Sequence, residues 1–280
     1  MTTVLVTGAG GFIGRHLVRR LVADQAQVHA VDSSHGDIGF DATWAGLPRA
    51  DVLIHLAAKS SVPASWDNPL DFIQANCLGI AHALEYCRRN ASKLIFLSSY
   101  MYGDAGAAPI SETAPVSTKN PYALTKQFSE QLCNIYSESL GVETRILRPF
   151  NVYGPQQSEA FLIPKIVREA KCGLVHVKDL DPRRDYVYVD DVIQAIVSLM
   201  HYAGTYRVFN IGSGLSYSVR DVIGTVATLL GTPVKMTSDE VRRPGEIMDS
   251  VADIGLARRE LGWSPRHSLA EGLSQILKCS

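Results

Sequence analysis

Two side chains in this 280-residue chain are spaced for proton transfer. Tyr122 and Lys126 stand four apart in the stretch Pro121 to Leu140, where apolar residues recur at helical intervals. Residues four apart share a helix face, so the ammonium reaches the surroundings of the phenol. A nearby cation favours phenolate and lowers a tyrosine pKa from its ordinary value of about 10. Tyr122 would then serve as an acid/base at neutral pH. Asn120 can cap this helix and Pro121 can open it. With eleven tyrosines in the chain, spacing alone decides little, and position decides more. The pair follows an apolar run, Leu94 to Leu97, that ends in Ser98-Ser99. The carboxyl ends of such strands face ligands in open α/β sheets. A Ser98 hydroxyl there could hold a substrate oxygen, or Ser98 could be an ordinary strand-end turn residue.

A second set of residues is suited to an anion. Thr7-Gly8-Ala9-Gly10-Gly11-Phe12-Ile13-Gly14 lies between the strand-like run Val4-Leu5-Val6 and a helical repeat from Phe12 to Ala23. Glycines let the backbone turn tightly and approach a pyrophosphate, and the helix N-terminus adds free N–H groups and a positive dipole. The spacing is Gly8-x-x-Gly11-x-x-Gly14 rather than Gly-x-Gly-x-x-Gly. Asp32 closes the next strand, Val28 to Val31. Its carboxylate can accept from adenosine ribose hydroxyls and would repel a 2′-phosphate, which favours NAD over NADP. The other reading of Asp32 is a turn cap.

The elements that must position these groups alternate. Further strands are expected at Val52 to Leu56, Leu94 to Leu97 and Glu143 to Leu147, with helices over about Pro69 to Arg89 and Pro121 to Leu140. Nearly continuous apolar strands between helices predict an α/β fold, a doubly wound parallel sheet covered on both faces. After about Arg148 the rhythm breaks. Helices are expected near Phe161–Ala170, Val189–Tyr202, Val219–Leu230 and Ala270–Leu277, among short strands and turns. The division read from this is a nucleotide-binding domain over 1–150, with some crossing of the chain around 180–212, and a smaller lobe over 151–280.

Composition excludes several classes. Hydrophobic residues make up 46% and charged residues 20%, and the formal net charge is -1. That balance gives no bulk attraction to nucleic acid or to an acidic membrane. No apolar run approaches membrane-spanning length and no leader is visible. The five cysteines include no Cys-x-x-Cys pair, which argues against a disulfide framework or a zinc site and for a reducing cytoplasm.

Taken in order, several segments resemble the extended short-chain dehydrogenase/reductases, specifically the NAD-dependent sugar-nucleotide epimerases and dehydratases. They are the glycine turn, His55-Leu-Ala-Ala58, Ser98 to Gly103, Tyr122 to Lys126, Arg148 to Pro155, Arg184 to Asp191, Asn210 to Gly214 and Arg243 to Glu246. The resemblance implies an NAD enzyme with a Rossmann domain, a nucleotide-sugar substrate and a homodimer formed by the helices starting near Pro69 and Pro121. It places Gly8, Gly11, Phe12, Ile13 and Gly14 at the pyrophosphate, Asp32, Ser33 and Asp41 toward the adenosine, and Leu56, Ala57, Ala58 and Lys59 under the cofactor. Asn76, Phe150 and Val152 would support the cofactor. Tyr122 would be the base, with Lys126 also holding the nicotinamide ribose and Ser98 completing the catalytic set. Ser98, Ser99, Tyr100 and Asn151 would meet the substrate, and Arg184 and Arg243 its diphosphate, for which a guanidinium fork is suited.

Two departures narrow the activity. The segment from Ser33 to Ala50 is short for the family, which leaves the adenine pocket open. Ser99 and Tyr100 stand where 4,6-dehydratases carry acidic residues, so simple elimination is disfavoured. The leading expectation is C4 epimerisation through a keto intermediate. Its rivals are reduction of a 4-keto-6-deoxy sugar nucleotide and a non-catalytic nucleotide-binding protein of the same fold.

Overall fold

The computed structural model describes residues 2–103, 109–241 and 247–279. The first half alternates as expected: β1 (Thr3–Thr7), α1 (Phe12–Ala23), β2 (Gln27–Val31), a 3-10 turn (Ser33–His35), α2 (Asp41–Trp44) and β3 (Val52–His55). Next come α3 (Val62–Asp67), α4 (Pro69–Phe72), a π-helical turn (Ile73–Leu78), α5 (Gly79–Asn90), β4 (Lys93–Leu97), α6 (Pro121–Ser139) and β5 (Thr144–Pro149). The remaining elements are β6 (Asn151–Tyr153), α7 (Leu162–Lys171), β7 (Leu174–Val177), β8 (Arg183–Tyr188), α8 (Val189–His201) and β9 (Val208–Ile211). The chain ends with β10 (Ser216–Ser218), α9 (Val219–Leu230), β11 (Lys235–Ser238), α10 (Gly255–Leu261) and α11 (Leu269–Cys279).

The chain packs as two compact units, one of Met1–Gly103, Pro115–Arg148 and Ile193–Phe209, the other of Asp104–Ala114, Pro149–Val192 and Asn210–Ser280. The six-stranded sheet runs β2-β1-β3-β4-β5-β9, and its pairs from β2 to β5 are parallel. Leu5, Leu53, Leu94 and Ile146 are wholly buried within it, as expected for strands covered on both faces. Leu17 and Leu21 bury the apolar side of α1, while Arg15, Arg19 and Arg20 face outward.

Several elements differ from the sequence reading. The helix expected over Pro69 to Arg89 is interrupted by the π turn, an extra residue in the helical ladder that leaves no mark in apolar spacing. The short α3 and α10 were not anticipated, because one or two turns carry too few positions to show a period. The start of α6 is as read: Asn120 accepts from Ala123 N at 2.8 Å, with Pro121 at the first helical position.

In the second unit β8 is central, antiparallel to β10 and parallel to β6, and β7 pairs with β11. Asp185 on β8 is fully buried. Its carboxylate accepts from Ser213 N and Oγ, Gly214 N and Ala252 N at 2.6–3.1 Å, so each lone pair is engaged. Asp191 ties down the C-terminal segment by accepting from Arg266 N and His267 N, both at 3.1 Å. No helix among the described residues is long and apolar enough to cross a membrane, and no cluster of three metal-ligating side chains occurs among them.

Candidate active site

The glycine turn is built by close packing. Gly8 has φ 72°, and a Cβ there would stand 2.6 Å from Ala57 N. A Cβ at Gly14 would collide with the Gly8 carbonyl oxygen. Any side chain at either position would push the turn off the strand ends. Gly11 is the N-cap of α1 and offers no side chain to its first turn. Phe12 and Ile13 open the helix, so its end presents N–H groups and a positive dipole without a capping side chain, which fits a pyrophosphate.

Asp32 takes the turn-cap role read from the sequence. Its Oδ1 accepts from Ser34 N at 3.0 Å and Ser34 Oγ at 2.6 Å, capping the turn that begins at Ser33. Those bonds hold its carboxyl below the usual range, with His35 adding to the effect. The side chain remains 43% exposed, and a Cβ at Gly10 would come within 3.3 Å of Oδ2. A side chain there would crowd that oxygen. Asp41 stands apart at the start of α2, exposed and 3.8 Å from both His82 Nδ1 and Arg89 Nη2.

The segment after β3 is fixed from below. Leu56 N donates to Thr7 O at 3.2 Å, Ala57 backs Gly8, and Ala58 leads into Lys59. Asn76, buried on the π turn, accepts from Lys59 N at 2.8 Å and donates to Lys59 O at 3.0 Å. Its amide also donates to Thr125 Oγ1 at 2.9 Å, and Thr125 Oγ1 donates to Tyr122 O at 2.7 Å. One side chain thus joins the loop after β3 to the helix carrying Tyr122. Neither Thr125 nor the π turn was read from the sequence.

On α6 the expected pair is present with different partners. Lys126 Nζ donates to Leu97 O at 2.9 Å and lies 4.7 Å from the Phe96 ring centre. Burial brings its pKa down to about 8, against the opposing charge of Glu130. Tyr122 packs edge-on to Phe72, and the Ser99 hydroxyl is close enough to its phenol to favour the ionised form. Burial pushes the phenol up to about 12, with Tyr100 adding to the rise and Ser99 opposing it. The expected lowering by Lys126 is therefore corrected for this structure: the ammonium is held on the strand carbonyl, and desolvation governs the phenol. Ser98 is 4% exposed, and its Oγ has no hydrogen-bond partner among the described residues. A buried hydroxyl left unpaired is uncommon and calls for a reason.

The second unit contains a cavity of about 370 Å³. Asn151, Val152 and Arg184 line it, as do Gln157, Phe161 and Lys178, which the sequence reading did not single out. Asn151 Nδ2 donates to Asp185 O at 3.0 Å. Arg184 Nη1 donates to Arg183 O at 2.8 Å and to Ile247 O. Phe150 is buried and ties its N–H to Ile211 O at 2.8 Å. Arg243 lies outside the described residues. The cavity offers cations, amides and an aromatic ring, a composition suited to a nucleoside diphosphate.

Residues 4–212 match the NAD dependent epimerase/dehydratase family. The chain is 34% identical to the UDP-glucose 4-epimerase of Mycolicibacterium smegmatis, over 98% of this chain and 97% of that one. It is 30% identical to the GDP-6-deoxy-D-mannose reductase of Pseudomonas aeruginosa, over 98% and 95%. Among solved structures, it superposes with a TM-score of 0.90 on the UDP-glucose 4-epimerase of Thermotoga maritima with UDP-glucose, at 30% identity, covering 99% of this chain and 98% of that one.

Proposed function

The chain belongs to the NAD dependent epimerase/dehydratase family, and we propose that it is a UDP-hexose 4-epimerase. It is an NAD-dependent enzyme. NAD, when bound, accepts a hydride from the sugar and returns it. The observation that carries the reading is the environment of Tyr122. Its phenol meets the hydroxyl of Ser99, and the segment Ser98 to Gly103 contains no carboxylate to drive an elimination. The likeness to UDP-glucose 4-epimerases at both sequence and fold level supports it.

In this reading Tyr122 takes the C4 hydroxyl proton and later gives it back. Lys126 holds the nicotinamide ribose. The unpaired Ser98 hydroxyl turns to the C4 oxygen, and Tyr100 borders the sugar. Gly8, Gly11, Phe12, Ile13 and Gly14 receive the pyrophosphate, Asp32 the adenosine ribose. Asn151 and Arg184 hold the nucleotide portion of the substrate, as does Arg243. The first unit is thus the cofactor domain and the second the nucleotide-sugar lobe. A homodimer is supported by exposed apolar side chains in two helical segments, Leu70, Ile73 and Leu78 in one and Leu124, Phe128 and Ile135 in the other. A cytoplasmic setting suits the buried thiols Cys77, Cys87 and Cys133.

The test incubates the purified protein, without added cofactor, with UDP-, dTDP-, GDP- and CDP-hexoses and follows products by NMR. Interconversion of UDP-glucose and UDP-galactose without net cofactor consumption is expected. A second reading, reduction of a 4-keto-6-deoxy sugar nucleotide, is favoured by the similarity to the GDP-6-deoxy-D-mannose reductase. Inactivity on the hexoses with stoichiometric NADH oxidation on such a keto sugar would replace the first reading with the second.

A further inference from the structure

Glu130 sits one helical turn beyond Lys126 on α6, the spacing at which a lysine and a glutamate on one face pair. They do not pair here. Lys126 donates to the Leu97 carbonyl, and Glu130 is taken by Arg148 from β5. Arg148 Nε lies 3.0 Å from Oε1 and 3.2 Å from Oε2, and Nη2 lies 2.5 Å from Oε2. The remaining arm of the guanidinium, Nη1, donates to the Tyr102 hydroxyl at 2.8 Å, with the guanidinium over the Tyr102 ring at 5.1 Å. Glu130, Arg148 and Tyr102 are 6%, 7% and 3% exposed. A planar fork satisfies a buried carboxylate better than a point-charged ammonium can.

We propose that Arg148 is a positioning residue: by engaging both oxygens of Glu130, it keeps that carboxylate from closing on Lys126 and leaves the ammonium for the nicotinamide ribose. This rests on the reading of Lys126 given above. Without the guanidinium, the nearest cation on the same helix face is Lys126, and a buried carboxylate without a partner is too costly to leave unpaired. Rotation of Glu130 toward Lys126 would then draw the ammonium off Leu97 O. The groups that act on Lys126 come from four elements: Glu130 and Cys133 on α6, Cys77 on the π turn, the Leu97 carbonyl and Phe96 ring on β4, and His55 on β3. Of these, Glu130 is the carboxylate whose position Arg148 controls.

The experiment follows the Lys126 side-chain signal by NMR of lysine-labelled protein across pH, beside NAD affinity and the pH profile of epimerisation. In Arg148→Met, the Lys126 titration should move up by about one unit, a tenfold change in proton affinity. NAD affinity and kcat should both fall about tenfold. In Glu130→Gln, the titration should move down. The double variant Arg148→Met/Glu130→Gln should lose the upward shift and regain NAD affinity. A purely structural ion pair would lower the melting temperature in each variant and leave the Lys126 titration in place, which would overturn the proposal. Should Arg148→Met fail to fold, Arg148→Lys must show the same upward direction, and an unmoved titration there overturns it equally. Lys126→Met separates the two readings. If it leaves NAD affinity and turnover intact, the role of Lys126 falls first. If it abolishes them while the Arg148 variants stay silent, only the role of Arg148 falls.

Discussion

Tyr122 and Lys126 stand one helical turn apart on α6, yet they face different neighbours: the phenol the Ser99 hydroxyl, the ammonium the carbonyl of Leu97, to which it donates at 2.9 Å. The two groups are both displaced away from ionisation, the phenol up to about 12 and the ammonium down to about 8. The site therefore keeps both groups close to neutral at the alkaline edge of the working range, a consequence of desolvation rather than of mutual attraction.

That displacement has a sign in stability. The folded pKa of Lys126, about 8, is below its ordinary 10.5, so between those values the unfolded chain binds more protons. Stability from this group rises with pH across that window and is lowest below about 8. Tyr122 acts in the other direction, its contribution being lost as pH rises from 10 to about 12. Lys126→Met removes the buried charge. Its melting temperature should exceed that of the parent at pH 7, and the gap should close toward pH 10, while kcat drops at least about a hundredfold. A lower melting temperature at pH 7 would contradict the account. Tyr122→Phe keeps the contact with Phe72 and should lose about a thousandfold in kcat with NAD affinity unchanged.

The two serines at the end of β4 should separate. Ser98 Oγ has no partner among the described residues, so Ser98→Ala removes none of their hydrogen bonds and should leave the melting temperature unchanged or slightly higher. If its hydroxyl serves the C4 oxygen, kcat should fall by about a hundredfold. Ser99→Ala removes the hydroxyl that opposes the rise of the Tyr122 pKa. Its pH–rate profile should move to higher pH, with a loss of about tenfold. Equal effects of the two substitutions would show that the assignment to separate atoms is wrong.

Asp32 offers a test of cofactor choice. Its carboxylate faces the space kept open by Gly10 and is partly satisfied by Ser34. Asp32→Ser retains a capping hydroxyl but removes the negative charge. The ratio of NADP to NAD affinity, measured by titration at fixed ionic strength, should rise by about tenfold, as expected when a like charge is withdrawn from beside a phosphate. An unchanged ratio would remove Asp32 from the adenosine site.

The parallel sheet, the glycine turn and the Tyr122–Lys126 pair were legible because each leaves a local mark: continuous apolar strands, glycines at fixed intervals, and two polar residues on one helix face. The partners of those residues were not. Asn76 reaches Thr125 across 49 positions, and Arg148 reaches Tyr102 across 46. Such pairings follow from how the sheet orders its strands, which no window of sequence contains. The direction of the Tyr122 shift was misread for the same reason. Spacing shows that a cation is near, but only the packed structure shows the desolvation that outweighs it.

The exposed apolar face of α6 carries the last prediction. Leu124, Phe128 and Ile135 are 58%, 45% and 55% exposed, and their separations of four and seven residues place them on one side of the helix. Such side chains in a row along an otherwise amphipathic helix are costly to leave in water. Leu70, at 77%, and Ile73, at 47%, add apolar surface on the segment that precedes α5. Covering these faces with a second copy accounts for both. Phe128→Glu would place a charge in the middle of that contact, where an unpaired carboxylate is strongly disfavoured. Light scattering behind size exclusion should find the parent as a dimer and Phe128→Glu as a monomer of about half the mass. Because Phe128 points away from the face that carries Lys126, NAD affinity should persist in the variant at high protein concentration. A parent that runs as a monomer would remove the dimer from the proposal and leave these faces without a partner.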